Sequence, residues 1–191
     1  NPATSNLVGC RPTLAASALS EKCAQTLFEY GVCAADNVRN NKNSDSVEKV
    51  VEANTLLSGI GFESGGLALA HPLANSYTEI TRLNKKYLHG EMVAMGTLAQ
   101  LAMESSKDLE KVTKFFINVG LPVNLEQLSM SPLQQSEIDM VIETAFKNPL
   151  IQNMNFEVSK ELILDSIKKA DEVGTHFVSK YGDEAYRRLH G

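Results

Sequence analysis

The chain has 191 residues, of which 43% are hydrophobic, a composition typical of a folded globular protein of one domain or one and a half. Its net charge of −5 argues against nucleic acids and anionic membranes as partners, because both require clustered lysines and arginines. No apolar run approaches the roughly 18 residues that cross a bilayer, and residues 1–9 lack the features of a signal peptide. We therefore expect a compact protein that binds neither nucleic acid nor a membrane.

The cysteine content argues against a disulfide framework. There are three cysteines, Cys10, Cys23 and Cys33, and no CxxC pair, which also argues against a cysteine metal site. Cys23 falls on the apolar face of a predicted helix, where we expect a small buried core residue. Free cysteines of this kind indicate a reducing compartment, so we expect a cytoplasmic protein.

Apolar residues at three- and four-residue spacing recur along the whole chain and predict helices. There is no alternating apolar and polar run rich in β-branched residues, and no fixed internal repeat. The predicted fold class is therefore all-α, as one compact multi-helix domain over residues 1–191. The predicted helices cover residues 11–30, 44–57, 64–75, 90–103, 109–119, 138–146 and 159–177, with a short one from 183 and with loops over 32–43 and 80–86.

Residues typical of helix ends mark several of these boundaries. Ser44 or Asp45 is placed to cap one helix N-terminus, and Ser159 another. Gly120 is placed just past a helix C-terminus, and Asp183 stands before the short last helix.

Two of the four histidines, His71 and His89, lie eighteen residues apart in the segment 59–97. Zinc is typically held by three or four N, O or S side chains, and neutral imidazole is a good ligand. The spacing lies outside the short-range zinc patterns, so the two histidines alone do not define a site. His89 directly precedes a predicted helix, a position that favours a functional role, with an exposed loop histidine as the alternative.

Small residues, including Gly65 and Gly66, precede His71. Such a run allows another backbone or a ligand to come close, and close packing of two helices is the alternative explanation. The remaining histidines have other expected roles. His176 is interpreted as a structural or surface side chain of a long helix, and His190 as part of a disordered C-terminus.

The segment GFESGGLALAH, which ends at His71, and the segment HGEMVAMGTLAQL, which starts at His89, identify a family. Both resemble glycerol dehydrogenases, within the metal-dependent, iron-containing-type alcohol dehydrogenase superfamily. The resemblance runs from about residue 6 to about residue 178 and includes VGLPVNLEQL and NMNF. The implied fold is the C-terminal helical domain of the dehydroquinate synthase-like, iron-containing alcohol dehydrogenase fold.

The resemblance also implies a two-domain enzyme. Family members carry an N-terminal α/β domain that binds NAD, and the active site lies in the cleft between the two domains. That N-terminal domain is expected before Asn1 and is absent from this chain, so we expect the chain to be part of a longer or processed protein. Family members also form homo-oligomers, which is the assembly that the resemblance implies for the intact protein.

In the family, one aspartate and two histidines bind zinc, and the two histidines match His71 and His89. The aspartate belongs to a segment that is expected before Asn1. The implied activity is the NAD-dependent oxidation of glycerol, or of another small polyol, in which glycerol becomes dihydroxyacetone. Zinc polarises the alcohol, and hydride passes to the nicotinamide. Gly65, Gly66 and Ala74 are expected to line the cleft.

Two residues depart from the family pattern. This chain reads AHPLAN where glycerol dehydrogenases commonly read AHAxHN, so that Ala74 replaces a histidine that lines the cleft in the family. Pro72 directly follows His71, and a proline inside a helix removes a hydrogen bond and bends the helix. We therefore expect a kink at Pro72 that displaces His71.

These departures leave two alternatives to a polyol dehydrogenase. The first is a non-catalytic binding or interaction module derived from the family, and we expect the 191-residue chain by itself to be inactive. The second is a carbon–oxygen lyase of the dehydroquinate synthase type, which shares the two-domain plan, NAD and a two-histidine zinc site. The lyase usually carries a GHTxGH-like motif, so the segment ESGGLALAH fits a glycerol dehydrogenase better.

Overall fold

The computed structural model describes residues 5–132 and 134–191, and within these ranges the chain forms helices and no strand. The predicted all-α class is confirmed. The chain divides after Leu67 into two compact units, and the prediction of one domain over residues 1–191 stays a prediction. Over the same described ranges, every helix is too short or too polar to cross a bilayer.

The first unit is built on one long helix that packs against a continuous helical run. Thr13 caps the long helix, because its hydroxyl accepts a hydrogen bond from the Ala16 N–H at 3.1 Å. Cys23, Ala53 and Leu57 form a buried cluster, so the predicted core position of Cys23 is confirmed. The helices are α1 (Leu14–Arg39), α2 (Asp45–Glu52), a π-helical turn (Ala53–Leu57) and α3 (Ser58–Gly65).

Helix α1 is longer than the sequence pattern predicts. The loop expected over residues 32–43 is wrong, since the helix continues to Arg39. Its polar residues form an exposed helical face: the Asn37 amide donates to the Cys33 carbonyl oxygen at 2.9 Å, and Arg39 pairs with Asp36. Ala34 is buried on the opposite face, so one-sided burial keeps this Asn-rich stretch helical.

The helix predicted over residues 64–75 is also wrong, because helix α3 ends at Gly65 and the next helix begins at Ala70. Gly66 ends α3 with a φ of +86°, a conformation that favours glycine. A Cβ atom at Gly66 would lie 2.7 Å from the Ser5 carbonyl oxygen. Local backbone packing therefore accounts for a glycine at this position.

In the second unit, α6 packs against α4 on one side and against α9 on another, and α8 contacts both α4 and α9. Fully buried side chains at this centre include Leu73, Leu98 and Ile167. The helices are α4 (Ala70–Thr78), α5 (Thr81–Lys86), α6 (His89–Met103), α7 (Leu109–Val119), α8 (Gln135–Lys147), a 3₁₀ turn (Pro149–Asn153), α9 (Lys160–Tyr181) and α10 (Glu184–His190).

The loop expected over residues 80–86 is wrong, since residues Thr81–Lys86 form α5. This segment is polar except for Leu83, whose side chain is fully buried and anchors the short helix. A helix of one and a half turns is too short to show a clear apolar period. Tertiary contacts of Leu83, and of Arg82 with Glu137 at 2.6 Å, therefore support a helix that the pattern does not predict.

Several predicted helix ends are confirmed. The hydroxyl of Ser44 accepts from the Val47 N–H at 3.4 Å, and the hydroxyl of Ser159 accepts from the Leu162 N–H at 3.2 Å. Gly120 follows α7 in the left-handed conformation, with a φ of +89°. The serine side chains bond backbone N–H groups that a helix N-terminus leaves unpaired. Glycine adopts the left-handed conformation that ends a helix at its C-terminus.

Tyr77 on α4 is fully buried, and its hydroxyl has no hydrogen-bond partner among the described residues. Burial raises the pKa of the Tyr77 phenol, and the negative charge of Asp171 raises it further. A buried hydroxyl without a partner costs about 1–3 kcal/mol of desolvation free energy. The ring of Tyr77 therefore stabilises the core, and its hydroxyl does not.

We predict that Tyr77→Phe leaves the free energy of unfolding unchanged or raises it by about 1 kcal/mol, because it removes an unpaired buried hydroxyl. Tyr87→Phe is the matched control, since the Tyr87 hydroxyl hydrogen-bonds the Ser129 hydroxyl at 2.6 Å. That control should lose about 1 kcal/mol. Urea denaturation followed by circular dichroism measures both. A loss above about 1 kcal/mol for Tyr77→Phe would contradict the prediction.

Candidate metal site

The structure brings together the two histidines that lie far apart in the sequence. His71 is the second residue of α4, and His89 is the first residue of α6. Their ring centroids are 6.0 Å apart, with the ring planes inclined at 52°. A metal bound to both would hold each ligating nitrogen at about 2.0–2.1 Å, and two neighbouring imidazoles suit that arrangement.

The two imidazoles have different surroundings. His71 is half-buried, whereas His89 is exposed. Burial lowers the pKa of His71, and the adjacent His89 lowers it further. Both effects favour the neutral imidazole, which is the form that binds a metal.

Pro72 lies in the first turn of α4, so the kink expected there is wrong, and the displacement of His71 stays a prediction. Helix α4 begins at Ala70, which makes Pro72 its third residue. The backbone N–H groups of the first helical turn have no partner within the helix, so a proline there removes no hydrogen bond. The first bond of the helix runs from the Leu73 N–H to the Leu69 carbonyl oxygen at 3.1 Å.

Helix α6 holds the start of α4 at two points. Gly96 lies against the backbone of Ala70, where a Cβ atom would stand 2.2 Å from the Ala70 carbonyl oxygen. One turn further along α6, the side-chain oxygen of Gln100 accepts a hydrogen bond from the Ala70 N–H at 3.0 Å. The Gln100 amide also donates to Glu104 at 3.0 Å, which orients it. Ala70 immediately precedes His71, so α6 positions both histidines.

The first turn of α6 is closed by Glu91, whose carboxylate accepts a hydrogen bond from the Leu88 N–H at 2.7 Å. The other oxygen of Glu91 contacts Nε2 of His190 on α10. The expectation that His190 is disordered is therefore wrong, because it packs against Glu91 and stacks on Tyr186 with ring centroids 4.1 Å apart. The contact with Glu91 joins residues that are 99 positions apart in the sequence, whereas Tyr186 lies one turn before His190 on α10.

The described ranges contain no group of three or more His, Cys, Asp and Glu side chains arranged to hold a metal. The donor set in this part of the chain is the two imidazoles, which fit a metal as a partial ligand set. All three cysteines are free, and His176 is exposed on α9, edge-on to Phe177.

The other predicted site residues have different environments. Ala74 is completely buried within α4, and its expected position on a cleft stays a prediction. Gly65 and Gly66 belong to the first unit and are half-buried, and their cleft-lining role also stays a prediction. Sequence reasoning missed Gly96, Gln100 and Glu91. A glycine inside a helical pattern was an available signal for Gly96, and a glutamate in the first turn of a predicted helix was one for Glu91, whereas Gln100 had none.

No family model matches the chain, but curated relatives and solved structures do. A glycolaldehyde reductase of Halobacterium salinarum is 40% identical over 172 residues, covering 88% of this chain and 47% of the relative. A glycerol dehydrogenase of Thermotoga maritima is 41% identical over 172 residues, with the same two shares. A crystal structure of glycerol dehydrogenase from Schizosaccharomyces pombe has a TM-score of 0.86 at 33% identity, covering 94% of this chain and 47% of that one.

The chain matches the C-terminal helical domain of glycerol dehydrogenases. This confirms the family that the sequence predicts, and it confirms the predicted fold. The chain spans about half the length of the relatives that it matches. The likeness therefore concerns the helical part of those proteins.

We predict that Gly96→Ala lowers the free energy of unfolding by about 1–3 kcal/mol, because the new methyl group would meet the Ala70 backbone. Gly90→Ala is the matched control on the same helix, since a Cβ atom at Gly90 meets nothing within 4 Å. That control should be neutral or slightly stabilising. Urea denaturation measures both, and equal effects of the two substitutions would contradict the prediction.

Proposed function

We propose that this chain is the metal-binding half of an NAD-dependent dehydrogenase that oxidises glycerol or another small polyol, with dihydroxyacetone as the product from glycerol. The observation that carries the proposal is the approach of the His71 and His89 rings to 6.0 Å in a chain related to glycerol dehydrogenases. The names of the relatives denote oxidoreductases rather than lyases, which favours this activity over the dehydroquinate synthase type.

The metal in this proposal is zinc, held by His71 and His89 together with an aspartate from a nucleotide-binding part of the whole protein. Zinc supplies Lewis-acid chemistry to an alcohol oxygen when it is bound. The chain's own contribution is positional and electrostatic. Burial lowers the pKa of His71 and so favours its neutral imidazole, and α6 holds both rings in one place through Gly96 and Gln100.

The names of the relatives narrow the proposed substrate class. Glycerol and glycolaldehyde both carry oxygen on two adjacent carbon atoms, and the two names describe opposite directions of the alcohol–carbonyl reaction. We therefore propose a small vicinal diol, or the matching hydroxy carbonyl compound, as the substrate. NAD is the proposed hydride carrier, bound mainly outside this helical chain.

A non-catalytic binding module is the second candidate. Two observations favour it: the described ranges hold two metal-binding side chains rather than three, and Ala74 stands buried where the family carries a histidine. Homo-oligomeric assembly and a cytoplasmic location stay predictions. The three free cysteines are compatible with a reducing compartment.

We predict that the 191-residue chain binds zinc weakly and that His71→Ala and His89→Ala each weaken the binding by more than about tenfold, because each removes one of two ligands. His176→Ala should change nothing, since that exposed side chain lies on α9. Isothermal titration calorimetry measures all four proteins. Zinc binding that survives both substitutions would overturn the assignment of the ligands.

The catalytic proposal is tested with the protein expressed from its whole gene. We expect glycerol-dependent formation of NADH that chelation abolishes and that zinc restores, and we expect His71→Ala to abolish it as well. His176→Ala is again the control. Full activity of the zinc-free protein would exclude the metal-dependent reaction. Zinc binding without NADH formation from any vicinal diol would favour the binding module.

A further inference from the structure

His190 is a largely buried imidazole that the proposed reaction does not use. It lies at the end of α10, with its side chain 16% exposed, and Glu91 opposite it is 12% exposed. Nε2 of His190 donates to one carboxylate oxygen of Glu91, while Nδ1 lies 2.9 Å from the Tyr186 carbonyl oxygen. Both ring nitrogens therefore have acceptor partners, which defines the orientation of the imidazole.

Aromatic rings hold this imidazole from two directions. Tyr186 stacks on it with an interplanar angle of 15°, and the Tyr87 ring lies 6.3 Å away. Tyr87 in turn hydrogen-bonds Ser129 at 2.6 Å. Tyr186 donates its hydroxyl proton to the Gln127 carbonyl oxygen. The tip of α10 is thus packed on the segment that leads into α6.

Glu91 connects His190 to the metal-ligand position. Its first oxygen takes the contact from His190, and its second accepts from the Leu88 N–H at 2.7 Å. Leu88 is the residue before His89, so one carboxylate joins α10 to the backbone that carries the ligand. A carboxylate held at both oxygens has a defined rotamer, and it restrains the first turn of α6.

We propose that His190 is a positioning residue, which acts through Glu91 to hold the His89 imidazole beside His71. The inference rests on the proposed function, in which His71 and His89 bind zinc. The proposal predicts that the contact between His190 and Glu91 raises the affinity for zinc, although neither side chain is a zinc ligand. Groups that orient metal ligands typically change affinity by about 10–100-fold, and we expect about tenfold, since His190 acts through a second residue.

Three substitutions in the 191-residue chain test the proposal. His190→Ala removes the donor to Glu91, His190→Gln keeps an N–H donor at a similar reach, and His176→Ala removes an exposed histidine elsewhere. Thermal unfolding of each variant establishes that it is folded. If His190→Ala fails to fold, His190→Phe replaces it, because phenylalanine keeps a ring against Tyr186 and removes the donor to Glu91. The losses expected of His190→Ala are then expected of His190→Phe.

The first readout needs no metal: the nuclear Overhauser contact between the ring protons of His71 and His89 in the zinc-free chain. We expect His190→Ala to weaken it, and His190→Gln and His176→Ala to preserve it. The second readout is zinc affinity by calorimetry, which should fall about tenfold in His190→Ala and recover in His190→Gln.

An unchanged ring contact in His190→Ala would overturn the proposal. So would a zinc affinity equal to that of the unsubstituted chain despite a weakened ring contact, because His190 would then not govern ligation. If the unsubstituted chain binds no zinc through these histidines, the weak binding predicted for it is wrong, whereas the proposed function is tested separately by the activity of the whole-gene protein. The metal-free ring contact then still decides whether His190 positions His89.

Discussion

The packing of α4 against α6 is the constraint on which the histidine pair depends. The two helices approach so closely that Gly96 leaves no room for a side chain beside the Ala70 carbonyl oxygen. Gln100 then satisfies the Ala70 N–H, one of the backbone donors that the first turn of α4 leaves unpaired. Steric fit and a hydrogen bond thus act on the same residue, directly before His71. Because α6 also begins with His89, one pair of helices determines the separation of the two rings.

Neighbouring helices also restrain the pair of α4 and α6. Helix α9 covers another side of α6, where Ile163 and Ile167 are fully buried, and α8 contacts both α4 and α9. The N-terminal end of α6 is exposed, so apolar packing does not hold it. Polar contacts of Glu91 and His190 restrain this end instead. The start of α4 is therefore positioned by close packing against α6, and the start of α6 by the side-chain contacts of Glu91 and His190.

Much of the helical architecture could be read from the sequence, and the errors share one cause. Apolar periodicity locates helices that bury a regular stripe, such as α7 and α9. It fails for the end of α1, where polar side chains cover an exposed face, and for α5, in which Leu83 is the one buried residue. Pro72 was misjudged for a related reason. Its effect depends on whether it stands in the first turn or the interior, and that boundary is decided by contacts with α6.

The sequence by itself determined the all-α class, the relationship to glycerol dehydrogenases and the identity of two candidate ligands, because these depend on local periodicity and on long specific motifs. It did not determine the role of Gln100, Glu91 or His190. Gln100 bonds Ala70, which lies 30 residues away in the sequence, and Glu91 and His190 lie 99 residues apart. Only the tertiary structure decides such contacts, since no local pattern constrains which distant residues share one surface.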